Sequence, residues 1–347
     1  MDILGFEKLI YHHDRIMAIR DGKPLFPVHA TLSLGNYCNH ACLWCSVFAH
    51  QQSDVKKASF EKLMDFLERA SIRGLRAVGY VGNGEPTAYP RFRELTTRVR
   101  EMGLEQGMFT NGYLLDRYEA EVLDNFTYIR ISLDAGSREV HDAMHAVSGH
   151  YDKIIANLER IVARRRDGTP AIGIQYATHH ENVHDLPNAI GIAADLGVDY
   201  FSVKPVFNRG SVGERIEKNR LTFEELSPIV SEARSRHERR DFAIHYRPFQ
   251  ILTEEADKTV LQYDRCVAGF FNINVYEDNS VVYCGPHRIA VGSLDDDFDT
   301  LERNILELSR KLDLSKCPGG CRYHPLNHIV HTVLHPDSRT EFHPNFL

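Results

Sequence analysis

Three cysteines stand within eight residues, Cys38, Cys42 and Cys45, spaced C-x3-C-x2-C around Trp44, the one tryptophan of the chain. Four more, Cys266, Cys284, Cys317 and Cys321, lie far downstream, so the seven divide into a three and a four. An odd number of cysteines in a chain without an apolar export signal makes disulfides a poor explanation and metal or redox chemistry a better one. Zinc sites usually draw four ligands from two pairs, and three thiolates crowded into one short loop make a poor half of such a site. An iron–sulfur cube presents several irons a few Å apart to a short loop, and three thiolates leave one iron open for a chelating ligand. The downstream four would close a second cube completely, with zinc as the runner-up for that group.

The elements that must position these residues follow from hydrophobic periodicity. VHATLSLG (28–35) reads as a strand that runs directly into the first cysteine loop. Helical and strand patterns then alternate, with strands expected at 75–82, 104–110, 126–135, 171–178 and 199–207. About six βα units in series imply parallel strands with crossover helices, either an open sheet or a barrel, with ligands gathering at the C-terminal strand ends. The last third changes character: FAIHYRPF reads as one more strand, FFNINVYEDNSVVYCG as a hairpin, and LDDDFDTLERNILELSRKLD as a helix with an acidic first turn. We therefore divide the chain into an N-terminal extension (1–27), a βα domain (28–240) and a small cysteine-bearing α+β module (241–347).

Composition narrows the function classes. The 347 residues carry a net charge of −7, from 41 basic and 48 acidic residues, which argues against broad nucleic-acid binding. No apolar run reaches membrane-spanning length, and the charged N-terminus lacks a signal-peptide core, so a cytoplasmic location is the default expectation.

Cys38-Asn-His-Ala-Cys42-Leu-Trp44-Cys45 resembles the hallmark of the radical S-adenosylmethionine (SAM) superfamily, three cysteines with an aromatic before the last, after the first strand of a partial (β/α)6 barrel. Asn83-Gly84-Glu85-Pro86 resembles that family's GGEP motif, with Asn83 in place of the first glycine. Thr110-Asn111-Gly112 and the stretch holding Arg130, Ser132 and Asp134 fall at the ends of the third and fourth strands, where the family meets SAM. The resemblance implies a 4Fe–4S cluster on Cys38, Cys42 and Cys45, SAM on its open iron, and reductive cleavage of SAM to a 5′-deoxyadenosyl radical that abstracts a substrate hydrogen. It places Trp44, Asn83, Gly84, Glu85, Asn111, Arg130, Ser132 and Asp134 around SAM. It also implies an electron donor such as flavodoxin or ferredoxin.

The downstream group resembles the Twitch module, the short form of the SPASM extension of radical SAM enzymes, from Cys266 through Cys284-Gly285 and the following GSLDD to the paired Cys317 and Cys321. That likeness implies one auxiliary 4Fe–4S cluster on Cys266, Cys284, Cys317 and Cys321. Two clusters would use all seven cysteines and leave no thiol hydrogen donor, which disfavours epimerisation. The short stretch before the first strand favours a small hydroxylated substrate (a sugar, aminocyclitol or nucleoside) and net oxidation or decarboxylation in natural-product biosynthesis. The alternatives are a peptide-modifying maturase of the same family and, outside the enzymes, a structural metal-binding module. For the base or clamp such chemistry needs, the strand-end candidates are Lys204, His179 and Arg209, with His180, Gln175 and Tyr176 beside them. His141 and His145, four apart, are expected on a solvated helix face, and the histidines of HIVHTVLHP beside the auxiliary site.

Overall fold

A computed structural model describes residues 5, 7–45, 54–167, 169–206, 220–246, 261, 263–285, 287–317 and 320–335. After helix α1 (His13–Arg20), strands β1 (His29–Leu32), β2 (Ala77–Tyr80), β3 (Glu105–Thr110), β4 (Tyr128–Ser132), β5 (Ala171–Thr178) and β6 (Tyr200–Pro205) pair side by side, all in parallel. Between them run α2 (Phe60–Ile72), α3 (Phe92–Glu101), α4 (Glu119–Asn125), α5 (Arg138–His145), α6 (Tyr151–Arg164) and α7 (Leu186–Leu196). The six expected strands are therefore present in the expected order. Two further strands extend the parallel set: β7 (Ala243–Tyr246), after α8 (Phe223–His237), pairs with β6, and β8 (Asn272–Val275) pairs with β1. The hairpin expected in the last third forms from β8 and β9 (Ser280–Val282), and β10 (Ala290–Ser293) completes a ten-stranded sheet among the described residues.

The period of two along each strand sorts the side chains. Val78, Tyr80, Met108, Ile129, Ile131, Ile172, Ile174 and Tyr176, all within 1% of full burial, form the apolar layer under the helices. The opposite, inner face holds Gly107, Phe109, Tyr128, Arg130, Ser132, Gly173, Tyr200, Ser202 and Lys204, brought level by the strand register. Two of its glycines are required by close approach: a Cβ on Gly107 would sit 2.2 Å from the Tyr128 ring, and one on Gly173 2.1 Å from the Tyr200 ring. Those rings thus lie flat over glycine backbone and form the floor of the inner space.

The C-terminal segment is bound to the βα units by packing as well as by the sheet. Helix α9 (Phe298–Lys311), capped by the Asp297 side chain on the Thr300 N–H, inserts Phe298 between Phe26 and Phe66, at ring distances of 4.7 and 5.4 Å. Helix α10 (His324–Leu334) follows the last cysteines. None of the described helices is long and apolar enough to cross a membrane.

Candidate active site

The first cysteine loop leaves β1 and is anchored at three places. Gly84 passes so close that a Cβ there would lie 2.2 Å from the Tyr37 carbonyl oxygen, and the Glu85 N–H donates to that oxygen at 2.8 Å. Further along, the N–H groups of Ala41 and Leu43 donate to the carbonyls of His145 and Met144, both at 3.0 Å. These carbonyls belong to the last turn of α5, which has no helical partners for them, so the loop completes the helix end. Asn111 supplies the third anchor: its Nδ2 donates to Asn39 Oδ1 at 2.8 Å and approaches Cys38 Sγ at 3.9 Å.

Glu85 ties the second and third strand ends together. Its Oε1 accepts from Thr87 N–H (3.1 Å), Thr87 Oγ1 (2.6 Å) and Thr110 Oγ1 (2.6 Å), and its Oε2 from Asn111 N–H (2.9 Å). Burial pushes the Glu85 carboxyl upward, and the four donors oppose that shift. Asn83 has a comparable role. Its N–H donates to Ser33 Oγ at 3.0 Å, its Nδ2 to Glu277 Oε1 at 2.8 Å, and its Oδ1 accepts from Arg288 at 3.0 Å. Ser33 Oγ donates to the other Glu277 oxygen at 2.7 Å. The replacement of glycine by Asn83 therefore links the β2 end to the β8–β9 turn; neither Glu277 nor Arg288 was signalled by the sequence.

Asp134 has a left-handed backbone, φ 56°, a conformation Asp tolerates better than most residues. It is buried, and both oxygens face protein: Oδ1 accepts from the Ala177 N–H at 2.6 Å, and Oδ2 lies 3.2 Å from His145 Nε2. His145 in turn places Nδ1 3.5 Å from Cys42 Sγ and 2.9 Å from His40 Nδ1. The expectation that His141 and His145 are solvated fails, because both are completely buried, stacked at 4.4 Å under the cysteine loop. Burial opposes a charge on His145, yet Cys42 and Asp134 outweigh it and the pKa is pushed up to about 10. His40, buried beside three other histidines, is pulled down to about 2.

All seven cysteines are free thiols. Burial, then the Glu85 carboxylate, then Cys42 and Cys45 push the Cys38 thiol up to about 12. Cys42 and Cys45 thus lie close enough to Cys38 for their charges to act on it, a thiol set whose donors fit a multi-iron group better than a hydrophobic core. The second group passes the same test. Cys317 is pushed up to about 12 by burial and by Cys266, Cys321 and Cys284 together, so four thiols distant in sequence converge. Asn327 Nδ2 lies 3.5 Å from Cys266 Sγ, and His287 Nε2 lies 3.3 Å from Cys317 Sγ. Sequence reasoning singled out neither residue. It looked instead to the histidines of 328–336, of which His331 faces Asp264 at 3.5 Å.

The remaining candidates separate. His179 is buried, with its ring 5.7 Å from Trp44. Lys204 and Arg130 are on the inner face, their charges over the Phe109 ring at 5.9 and 4.6 Å. Gln175 is on that face too, whereas its neighbour Tyr176 points to the helices and donates to the Asn182 carbonyl at 2.6 Å, away from any site. His180 is exposed, 3.8 Å from Glu225. Arg209 lies outside the described residues.

A family model described as the Radical SAM superfamily matches residues 32–191. The chain is 28% identical over 176 residues to the tungsten-containing aldehyde ferredoxin oxidoreductase cofactor-modifying protein of Pyrococcus furiosus, covering 48% of each. It is 26% identical over 176 residues to the PqqA peptide cyclase of Gluconobacter oxydans, covering 50% of this chain and 48% of that one. The chain thus spans about half the length of these curated relatives. In three dimensions it is similar to Streptococcus suis SuiB, in a crystal structure bound to the precursor peptide SuiA, with a TM-score of 0.69 and 16% identity over 92% of this chain and 77% of that one. At that identity the likeness shows the fold alone, a partial barrel of parallel βα units with a C-terminal extension.

Proposed function

Residues 32–191 of this chain form a radical SAM domain, and from that premise we propose an enzyme that modifies a peptide by hydrogen abstraction. The single observation that carries the reading is that three free thiols in the loop after β1 lie near enough for Cys42 and Cys45 to act on Cys38, with the Glu85 lock beside them. Cys38, Cys42 and Cys45 would hold a 4Fe–4S cluster, and Cys266, Cys284, Cys317 and Cys321 a second one. When bound, the first cluster with SAM supplies the 5′-deoxyadenosyl radical, and the second offers a place for an electron.

The chain's own residues fix where this happens. Glu85, Asn111 and Asn83 hold the loops around the cysteines in one arrangement, and the α5 carbonyls keep Cys42 over His145. Trp44 and His179 close the side of the loop toward β5. Lys204, on the inner face at the end of β6, is placed to clamp or deprotonate a substrate. The division at residue 240 is kept as a working boundary, although β7 and β8 join the barrel sheet from beyond it.

The small hydroxylated substrate expected above gives way to a peptide because of what the relatives are named for: PqqA peptide cyclase acts on a peptide, and SuiB was crystallised with its precursor peptide. The test uses the anaerobically reconstituted enzyme with SAM, dithionite and either a perdeuterated peptide digest or a perdeuterated carbohydrate pool. Deuterium appearing in 5′-deoxyadenosine from the peptide pool alone is the expected result. Deuterium from the carbohydrate pool alone would return the assignment to a small polar substrate.

A further inference from the structure

Besides Lys204, the inner face carries a buried cation among the described residues that the cluster sites do not use. Arg130 is 2% exposed, and its Nε donates to Tyr200 Oη at 3.1 Å. Its guanidinium stands 4.6 Å from the Phe109 ring centre and 5.3 Å from that of Tyr200. Among the described residues no carboxylate pairs with it, and neither Nη has a hydrogen-bond partner. A buried charge without a counter-ion destabilises a fold, and two aromatic faces offset only part of that. The two open Nη groups form the planar fork that suits a carboxylate.

Gly173, the register partner of Arg130 on β5, is covered by the Tyr200 ring, which its missing side chain admits, so the guanidinium is held beside that ring. The Lys204 ammonium shares the Phe109 ring, adding positive potential at the same point. One pleat nearer the strand ends, Gln175 has a buried Oε1 that no donor reaches. It lies two residues along β5 from the partner of Arg130, roughly 7 Å up the strand. The site therefore offers a fork for an anion and, a few Å away, an acceptor for an N–H or O–H.

We propose that Arg130 anchors a carboxylate of the substrate inside the barrel, between Phe109 and Tyr200, with Gln175 accepting from a donor next to that carboxylate. The inference rests on the proposed function, since it names a feature of that reading's substrate. A carboxylate could also come from the methionine part of SAM. Arg130 lies one pleat below Ser132, and its β3 partner Phe109 stands two residues before Asn111; of the two carboxylates we assign it the substrate's, and the SAM arm of the test separates them.

The test is 19F NMR line broadening of 4-fluorobenzoate and of neutral 4-fluorobenzamide by the cluster-loaded full chain, with and without saturating SAM. The wild type should bind the acid at least tenfold more tightly than the amide, with SAM present or absent. Arg130→Met should lose that preference and Arg130→Lys recover part of it, while the Tm of Arg130→Met stays equal to or above that of the wild type. Equal binding of acid and amide by the wild type, or an acid preference that survives in Arg130→Met, overturns the proposal. So does displacement of the acid by SAM together with tenfold weaker SAM binding by Arg130→Met, which would give the cation to SAM. A lowered Tm with unchanged acid preference would make Arg130 a structural pillar and likewise overturns it. The functional reading fails separately, if the wild type releases no 5′-deoxyadenosine, and the binding result does not depend on that release.

Discussion

Replacing Glu85 with Gln tests the lock at the centre of the site. The carboxylate accepts four hydrogen bonds from Thr87, Thr110 and Asn111, at 2.6 to 3.1 Å. A glutamine keeps one oxygen for the three donors now on Oε1, but its amide group then faces the Asn111 N–H, donor against donor. One hydrogen bond to a charged acceptor is lost and two N–H groups are left unmatched, a cost of about 3 kcal/mol. Removing the buried charge returns part of this, since burial already pushes the carboxyl upward, leaving a net loss of about 2 kcal/mol. For a chain of this size that lowers Tm by roughly 3 °C. Thr110→Val removes a single donor and should cost about half as much. Thermal unfolding of the three proteins, with SAM binding by equilibrium dialysis alongside, reads both effects. A Glu85→Gln protein that melts with the wild type and binds SAM equally would refute the reasoning, as would a larger loss in Thr110→Val than in Glu85→Gln.

Three other outcomes follow from the same geometry. Asn83→Ala and Glu277→Ala should be non-additive in urea unfolding, with a coupling of about 1 kcal/mol or more, because each removes the same contact between the β2 end and the β8–β9 turn. His145→Leu should speed removal of iron by a chelator roughly tenfold, with His145→Gln intermediate, since the ring is held between Asp134 and Cys42; unchanged iron loss in His145→Leu would remove the ring from cluster support. Cys42→Ala should abolish 5′-deoxyadenosine release, whereas Cys317→Ala should retain SAM cleavage and lose substrate turnover, measured by chromatography of both products.

The strands of the barrel were legible because each is a short apolar run of period two, and the cysteine groups because thiols are rare and their spacing is chemical. The same period could have separated Gln175 from Tyr176, since adjacent residues on a strand face opposite ways. What could not be read were contacts set by the chain's path. His145 lies on a helix whose exposed face the sequence suggests but whose last turn the cysteine loop covers. Asp134 belongs to a motif that suggests a SAM contact, yet its left-handed backbone turns both oxygens into the protein. Glu277 and Arg288 reach Asn83 across about 200 residues of chain, and His287 and Asn327 reach their cysteines across 30 and 61. No local pattern encodes such pairs.

We propose that the two thiol groups, of three and four, each hold a cluster in a radical SAM enzyme. Anaerobic reconstitution of the wild-type chain, followed by iron and sulfide analysis and incubation with SAM and dithionite, tests it most directly. About eight iron and eight sulfide per chain, two cubes of four each, and release of 5′-deoxyadenosine are expected. Zinc in place of iron, or a fully loaded protein that releases none, would contradict it.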